Sequence, residues 1–174
     1  MNFRSAYEHK FPQTGHKLNT SLQYTRGIED EQYFLTDSSE FRIGQDTTHI
    51  IAVEHTSLFQ LNYTKPLKSG RLETGGRIQI RRIPISYEIG EGEASILYPE
   101  VGASSRWGES IFATYLNYIW EKHTYEIESG IRAEQTYVFY NLDPANIYYD
   151  QNDAYDYFEL YPCLLYNLTL PTIA

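Results

Sequence analysis

Hydrophobic and polar residues alternate without a break through residues 71–82. One set of alternate positions is apolar or small: Leu72, Thr74, Gly76, Ile78 and Ile80. The other set carries four charges, a glutamine and a glycine: Arg71, Glu73, Gly75, Arg77, Gln79 and Arg81. A period of two places alternate side chains on opposite faces of a β-strand. A strand between lipid on one side and a water-filled lumen on the other has this pattern.

The same alternation recurs in six other stretches, which predict strands near residues 3–11, 18–25, 48–65, 110–120, 124–137 and 157–170. No helical period of 3.6 residues persists anywhere along the chain. In the 110–120 stretch the second face is less polar than in the others, since it contains Ile111, Ala113 and Ile119. The sequence therefore predicts about seven strands and no helices.

Short and long connections alternate between the predicted strands. The short turns are Pro12–Gly15, Lys65–Gly70 and Trp120–His123, and the long irregular stretches are Gly27–Asp46, Ile83–Gly108 and Asn141–Asp156. Successive connections of an up-and-down sheet lie at opposite ends, so the short turns share one rim and the long stretches share the other. Outer-membrane barrels have this asymmetry. The predicted fold is an all-β, antiparallel up-and-down meander of about seven long strands, a segment of a transmembrane β-barrel.

Composition is consistent with this fold and excludes some functions. The 174 residues include 17 tyrosines, and tyrosine suits boundaries between apolar and aqueous surroundings. A formal charge of −9 argues against a nucleic-acid surface, which needs clustered basic residues. No apolar run reaches the roughly 18 residues of a transmembrane helix. The single cysteine, Cys163, excludes an internal disulfide and is expected to be a small packed residue.

Four short motifs resemble a known family in their order and spacing over nearly all of the chain. They are Gly75-Gly76-Arg77 followed by Arg81-Arg82, Ala113-x-Tyr115, residues 130–134 (GIRAE), and residues 157–162 (YFELYP). Together they resemble the carboxy-terminal barrel region of TonB-dependent outer-membrane receptors, in the branch common in Bacteroidota. The resemblance implies a Gram-negative outer-membrane location and energised uptake of a scarce ligand, such as an iron chelate, cobalamin, a glycan or a peptide.

The resemblance also implies partners. These are the lipid bilayer, the remainder of the barrel and its plug domain, the TonB system acting through that plug, and the transported ligand. Residues 1–174 contain no segment that resembles a plug, a TonB-contacting segment or a signal peptide. We therefore expect a single, incomplete barrel segment of roughly a third of a barrel, which would not transport anything by itself. Such a segment should expose two sheet edges and an apolar face, and should aggregate in water.

No catalytic or cofactor-binding residues are predicted, and the chain is not expected to be an enzyme. The five histidines are scattered, without a metal-ligand spacing: His9, His16, His49, His55 and His123. Oxygen ligands for calcium are clustered only at Asp150, Asn152, Asp153 and Asp156. The spacing there does not fit an EF-hand, and we interpret these residues as a solvated acidic loop. No metal site is predicted.

Charged residues on the polar strand faces are expected to line the lumen. The group comprises Arg77, Arg81, Arg132, Glu126, Glu128 and Glu134. They could contact a plug or a ligand, or only hydrate the lumen and pair across strands.

A soluble, lipocalin-like ligand-binding barrel is the alternative. That fold would turn the isoleucines inward and the charges outward, whereas a receptor barrel would do the reverse.

Overall fold

The computed structural model describes residues 1–38, 43–93, 95, 104–122, 124–142 and 153–168. These residues form seven β-strands: β1 (Asn2–Lys10), β2 (Lys17–Ser38), β3 (Ile43–Leu67), β4 (Gly70–Glu91), β5 (Ser104–Glu121), β6 (Tyr125–Leu142) and β7 (Asp153–Leu168). Within these ranges there is no helix long and apolar enough to cross a membrane.

All seven strands belong to one sheet, in which each strand pairs with its neighbours in sequence. The order is β1-β2-β3-β4-β5-β6-β7, and every pairing is antiparallel. The predicted up-and-down meander is therefore confirmed. β1 and β7 lie at the two ends of this order, so the sheet formed by the described residues is open.

The register of the strands places apolar residues opposite apolar residues, so the alternation within each strand gives the whole sheet two different faces. Ile78 on β4 lies opposite Phe59 on β3 and Phe112 on β5, whereas Arg77 lies opposite Gln60 and Ala113. Paired residues project to the same side of a sheet. We call the side that carries Ile78 the apolar face and the side that carries Arg77 the polar face.

Several strands continue beyond the ranges predicted from the alternation, as expected for a meander of long strands. The predicted irregular stretch Gly27–Asp46 is mostly strand, because β2 continues to Ser38 and β3 begins at Ile43. In the same way β4 continues to Glu91, while β5 begins at Ser104. The prediction of irregular structure was wrong for these parts of the chain. In these parts the backbone groups of neighbouring strands form hydrogen bonds with each other. The strand pairing therefore continues although hydrophobic and polar residues no longer alternate as they do in the band.

The turns at the short rim agree with the prediction. β3 and β4 are joined by two residues, Lys68 and Ser69, and Gly70 follows with φ of +142°. A Cβ at Gly70 would collide with the carbonyl of Ile119, so glycine is required there. At the turn after β1, Gly15 has φ of +78°, which fits the predicted turn chemistry. In the third turn His123 lies outside the described residues.

Burial is concentrated on the polar face. Among the described residues, the buried ones with side chains are Asp46, Thr48, Ser105, Ile119, Thr136 and Val138, and all six lie on that face. Thr136 and Ile119 are only 1 % and 2 % exposed. All the strands belong to a single sheet, so no second layer accounts for this burial. The burial therefore indicates that the sheet curls towards its polar face.

Candidate functional site on the polar face

The predicted lumen charges all lie on the polar face. Arg81 Nε donates to Glu54 Oε1 at 2.7 Å, and Arg132 Nη2 donates to Glu134 Oε2 at 2.5 Å. Arg77 donates to the side-chain oxygen of Gln79. The structure thus arranges these charges as separate local pairs. In the Arg81–Glu54 pair both side chains are more than a third exposed, so this ion pair contributes only about 0.2–1 kcal/mol.

A larger ionic cluster centres on Arg71, near the short rim. Its Nε donates to Glu73 Oε1 at 2.8 Å, and its Nη1 contacts the carboxylates of Glu121 and Glu126. These residues come from three strands, β4, β5 and β6, so the cluster ties the strands together where the polar face meets the turns. Glu126 was among the predicted lumen charges, whereas the arginine that binds it was not. Glu128, also predicted, accepts a hydrogen bond from Asn117 Nδ2 at 3.2 Å.

The four sequence motifs meet in one row across the polar face. Gly75 lies opposite Tyr115, Tyr115 opposite Arg132, and Arg132 opposite Tyr161. These residues come from β4, β5, β6 and β7 in turn. The spacing of the four motifs along the chain is therefore the spacing that makes them direct neighbours across the sheet. On the other side of Gly75 the row continues to Asn62 on β3.

Tyr115 is held across the glycine of this row. Its hydroxyl donates to Asn62 Oδ1 at 2.8 Å, two strands away. A Cβ at Gly75 would lie 2.6 Å from Tyr115 Cε1 and would also collide with the carbonyl of Leu61. The missing side chain therefore makes room for the aromatic ring, which covers the exposed backbone. Sequence reasoning did not identify Asn62 as part of this arrangement.

Two polar atoms on this face are buried without a hydrogen-bond partner among the described residues, Arg77 Nε and Thr136 Oγ1. Arg77 lies opposite Ala113 on β5, and Glu134 follows on β6. The polar face is therefore an enclosed surface of fixed charges and hydroxyls. It can bind polar groups.

The apolar face has the opposite character. On β4 it presents only apolar or small side chains from Leu72 to Ile80, and we call this level of the sheet the apolar band. Ile78 is 39 % exposed and Ile131 is 43 % exposed. Other large apolar side chains are exposed beside them, among them Phe59, Leu61, Phe112, Leu116, Leu160 and Leu164. A continuous apolar surface of this kind marks contact with protein or lipid.

Aromatic side chains occur at both ends of the band. At the short rim Trp120 packs edge-on against Tyr125 with ring centroids 5.8 Å apart, and His16 hydrogen-bonds the hydroxyl of Tyr63 at 2.8 Å. At the other end the hydroxyl of Tyr24 hydrogen-bonds His55 Nδ1 at 2.8 Å. On β3, Tyr63 and His55 are eight residues apart. Amphipathic rings at two such levels are typical of the two interfaces of a bilayer.

Beyond the band the polarity of β4 inverts. From Arg82 onward the apolar face carries polar residues, glycine or proline, namely Arg82, Pro84, Ser86, Glu88 and Gly90. The polar face now carries Ile83, Ile85, Tyr87 and Ile89, with Ile50 and Ala52 of β3 opposite two of them. These apolar side chains are less exposed than Ile78 and Ile80 of the band. A strand surrounded by water turns its apolar side chains towards the enclosed side, so the inversion marks a change of surroundings.

The parts of β2, β3 and β4 beyond the band, residues 27–38, 43–53 and 83–93, are called the strand extensions. They contain no lysine or arginine. Their acidic residues with described side chains are Glu29, Asp30, Glu31, Asp46, Glu88, Glu91 and Glu93. The hydroxyl of Tyr33 donates to Glu31 at 2.5 Å, and this hydrogen bond raises the pKa of Tyr33. The extensions therefore form an acidic surface.

The remaining candidate residues are dispersed. His49 contacts Asp30 Oδ1 at 2.7 Å, and no group of three potential metal ligands occurs in the described part of the chain. Of the proposed calcium ligands, Asp153 and Asp156 lie on opposite faces of β7, whereas Asp150 and Asn152 fall outside the described residues. Cys163 lies on β7, where it is exposed on the polar face.

Comparison with protein families agrees with this two-faced sheet. The profile of the Outer membrane protein beta-barrel family matches residues 9–172. The chain belongs to the outer membrane protein β-barrel family. This family membership points to an outer-membrane location. Comparison with curated proteins gave no match.

Proposed function

We propose that the chain forms part of the outer-membrane barrel of a TonB-dependent receptor that takes up a scarce ligand, such as an iron chelate, cobalamin, a glycan or a peptide. The observation that carries this proposal is the inverted polarity of the sheet, whose charged face is the more enclosed one. Strands that continue about ten residues beyond the apolar band add support, because a bilayer needs only about 9–11 residues per strand.

Each surface of the sheet has a partner in this proposal. The apolar band contacts lipid, and the polar face lines the lumen against a plug domain, through which the TonB system acts. The free edges of β1 and β7 pair with the remainder of the barrel, because an unpaired edge at membrane depth would leave backbone groups unsatisfied in hydrocarbon. The role is transport, without catalysis by this chain.

The lipocalin-like alternative requires the opposite orientation. In such a barrel Ile78, Ile80 and Ile131 would fill a dry interior, but they are 39 %, 38 % and 43 % exposed. Arg77 and Glu134 lie on the enclosed side instead. No feature of the sheet favours the soluble barrel.

Thiol labelling at two adjacent positions tests the orientation. In a Cys163→Ala background, Ile78→Cys and Arg77→Cys place a thiol on opposite faces of one strand. In outer membranes we expect the thiol at position 78 to react with a membrane-soluble maleimide and resist a charged one. The thiol at position 77 should react with the charged reagent. The reverse result would refute the lipid-facing assignment.

A growth assay tests the receptor role. Cells that lack the gene for this protein, cells that lack TonB and the parent strain are grown with a ferric chelate, cobalamin, a glycan or a peptide as the limiting nutrient. We expect the first two strains to share a growth defect on at least one nutrient, which re-expression of the protein restores only when TonB is present. Full restoration in the absence of TonB would contradict the proposal.

A further inference from the structure

Four basic side chains lie on the apolar face where the apolar band ends. Arg26 on β2 is opposite His55 on β3, which is opposite Arg82 on β4. Arg106 on β5 lies opposite Pro84, two residues further along. Strands are about 4.8 Å apart, so the backbones of Arg26 and Arg82 are roughly 10 Å apart. We call the three arginines the cationic belt.

Among the described residues, the arginines of the belt, Arg26, Arg82 and Arg106, have no carboxylate partner. By contrast, Arg71, Arg81 and Arg132 on the polar face each pair with a glutamate. The chain has 23 acidic residues against 14 lysines and arginines, so the supply of acids does not limit pairing.

The acidic residues of the apolar face lie elsewhere. Asp30 and Glu88 lie further out along the strand extensions, and Asp30 is bound by His49 at 2.7 Å. Asp156 lies on the edge strand β7, where it accepts a hydrogen bond from Gln135 at 2.9 Å. On the apolar face, the described residues of β2 to β5 at the level of the belt therefore carry no negative charge.

Neutral groups hold Arg82 in place without compensating its charge. Its Nη1 donates to the backbone oxygens of Arg81 and Glu109 at 2.8 and 3.0 Å, and its Nη2 donates to Ser110 Oγ at 3.2 Å. The guanidinium carbon lies 4.9 Å from the centre of the Phe139 ring. This arrangement orders the guanidinium while its full charge stays available to an external anion.

We propose that the cationic belt binds the phosphate-bearing headgroups of lipids in the leaflet on the side of the strand extensions. The inference rests on the proposed contact between the apolar band and lipid, which places the belt at the headgroup level. Phosphate oxygens accept hydrogen bonds from guanidinium groups in a bidentate manner, and the attraction is strongest where the charge has no competing carboxylate. In this proposal the lipid phosphate is the counter-charge of the belt.

A binding measurement on the purified barrel that contains the full chain tests this proposal. The probes are phosphatidic acid in neutral mixed micelles, diacylglycerol as the lipid without phosphate, and inorganic phosphate as the anion without acyl chains. The test variant combines Arg26→Gln, Arg82→Gln and Arg106→Gln. Each surface charge contributes about fivefold to binding at an anionic interface, so we expect affinity for phosphatidic acid to fall on the order of a hundredfold.

A matched control removes three positive charges from the polar face, by Arg4→Gln, Lys10→Gln and Lys17→Gln. We expect it to bind phosphatidic acid within about twofold of the parent protein, because those side chains face away from lipid. Equal losses in both variants, or no loss in the test variant, would overturn the proposal. Displacement of the lipid by an equal concentration of inorganic phosphate would do so as well, since it would indicate a site for soluble anions.

Two further measurements keep the result interpretable. If the triple variant does not assemble, the single change Arg106→Gln at an exposed position should still lower affinity about fivefold. No change in that variant would then count against the belt. Labelling of Ile78→Cys separates the two proposals: a lipid-facing thiol with no loss of phosphatidic acid binding refutes the belt alone, whereas a water-facing thiol refutes the proposed function as well.

Discussion

The two ends of β4 belong to one strand of one sheet, yet they follow opposite rules. Between Leu72 and Ile80 the apolar side chains lie on the exposed face, and between Ile83 and Ile89 they lie on the enclosed face. The register is the same on both sides of the change, with Ala52 opposite Ile85 and His55 opposite Arg82. The difference shows that one strand can carry two opposite polarity patterns. In the proposed barrel, the band lies in hydrocarbon and the extension lies in water.

The largest expected effect comes from a charge placed in the band. Ile78→Arg should destabilise the barrel by about 2–4 kcal/mol, because a guanidinium would enter hydrocarbon near the middle of the bilayer. Ser86→Arg puts the same side chain on the same face of the same strand, eight residues further along, and should change stability by less than about 0.5 kcal/mol. Urea unfolding of the barrel in lipid vesicles measures both. Equal costs would show that the two parts of β4 share one environment.

A second comparison uses the neighbouring glycines of the band. Gly75→Ala should cost about 1–3 kcal/mol, because the added methyl group must displace the Tyr115 ring and the Leu61 carbonyl. Gly76→Ala, on the other face, meets only the Ala113 carbonyl at 3.4 Å and should cost less than about 0.5 kcal/mol. The same urea titration is the measurement. A costly Gly76→Ala with a neutral Gly75→Ala would contradict the packing described for Tyr115.

The inverted part of the strand is tested by removing an apolar side chain from its enclosed face. Ile85→Ser should destabilise the extension by about 1 kcal/mol, since Ile85 is only partly buried. Hydrogen exchange of the backbone amides in β4 and β3 beyond the band should become faster, while amides of the band keep their protection. Pro84→Ser on the exposed face is the control and should leave exchange at residues 85–89 nearly unchanged. Faster exchange throughout the sheet would show that the extension is not a separate unit.

The smallest effect is expected for an ion pair of the polar face. Arg81 and Glu54 form a 2.7 Å contact, and their side chains are 37 % and 42 % exposed. A double-mutant cycle with Arg81→Gln and Glu54→Gln should give a coupling energy of about 0.2–1 kcal/mol. A value well above this range would mean that the polar face is drier than the exposed fractions indicate.

Sequence reasoning identified the band because two unlike environments impose a strict alternation on it. In β4 the oily and charged positions were assigned to their observed faces residue by residue. The same reasoning missed the extension, where the phase of the pattern reverses after Ile80. Ile78 and Ile80 are at even positions of β4, whereas Ile83 and Ile85 are at odd positions. A single alternating pattern therefore cannot be followed across Ile80. A search for a change of phase within one strand would have found the continuation.

To predict the row of motif residues, the register between the strands must be known as well as the alternation within each strand. Nothing in the spacing of Gly75, Tyr115 and Arg132 along the chain indicates that they are direct neighbours. The two-residue turn at Lys68 and Ser69 determines the pairing of β3 with β4, and the length of the turn between β5 and β6 determines theirs. The sequence predicted the ends of the strands only to within several residues. The lengths of the turns, and with them the register, therefore could not be predicted.

The polarity switch after Ile80 also has a mechanical consequence. If the sheet sank by two residues along its strands, Arg82 and His55 would enter the hydrocarbon, and the desolvation of the guanidinium alone would resist the movement. If it rose by two residues, the isoleucines of the band would enter water. In the proposed barrel, each strand of this kind therefore sets its own height in the membrane, and the protein is held in position by its sequence as well as by its fold.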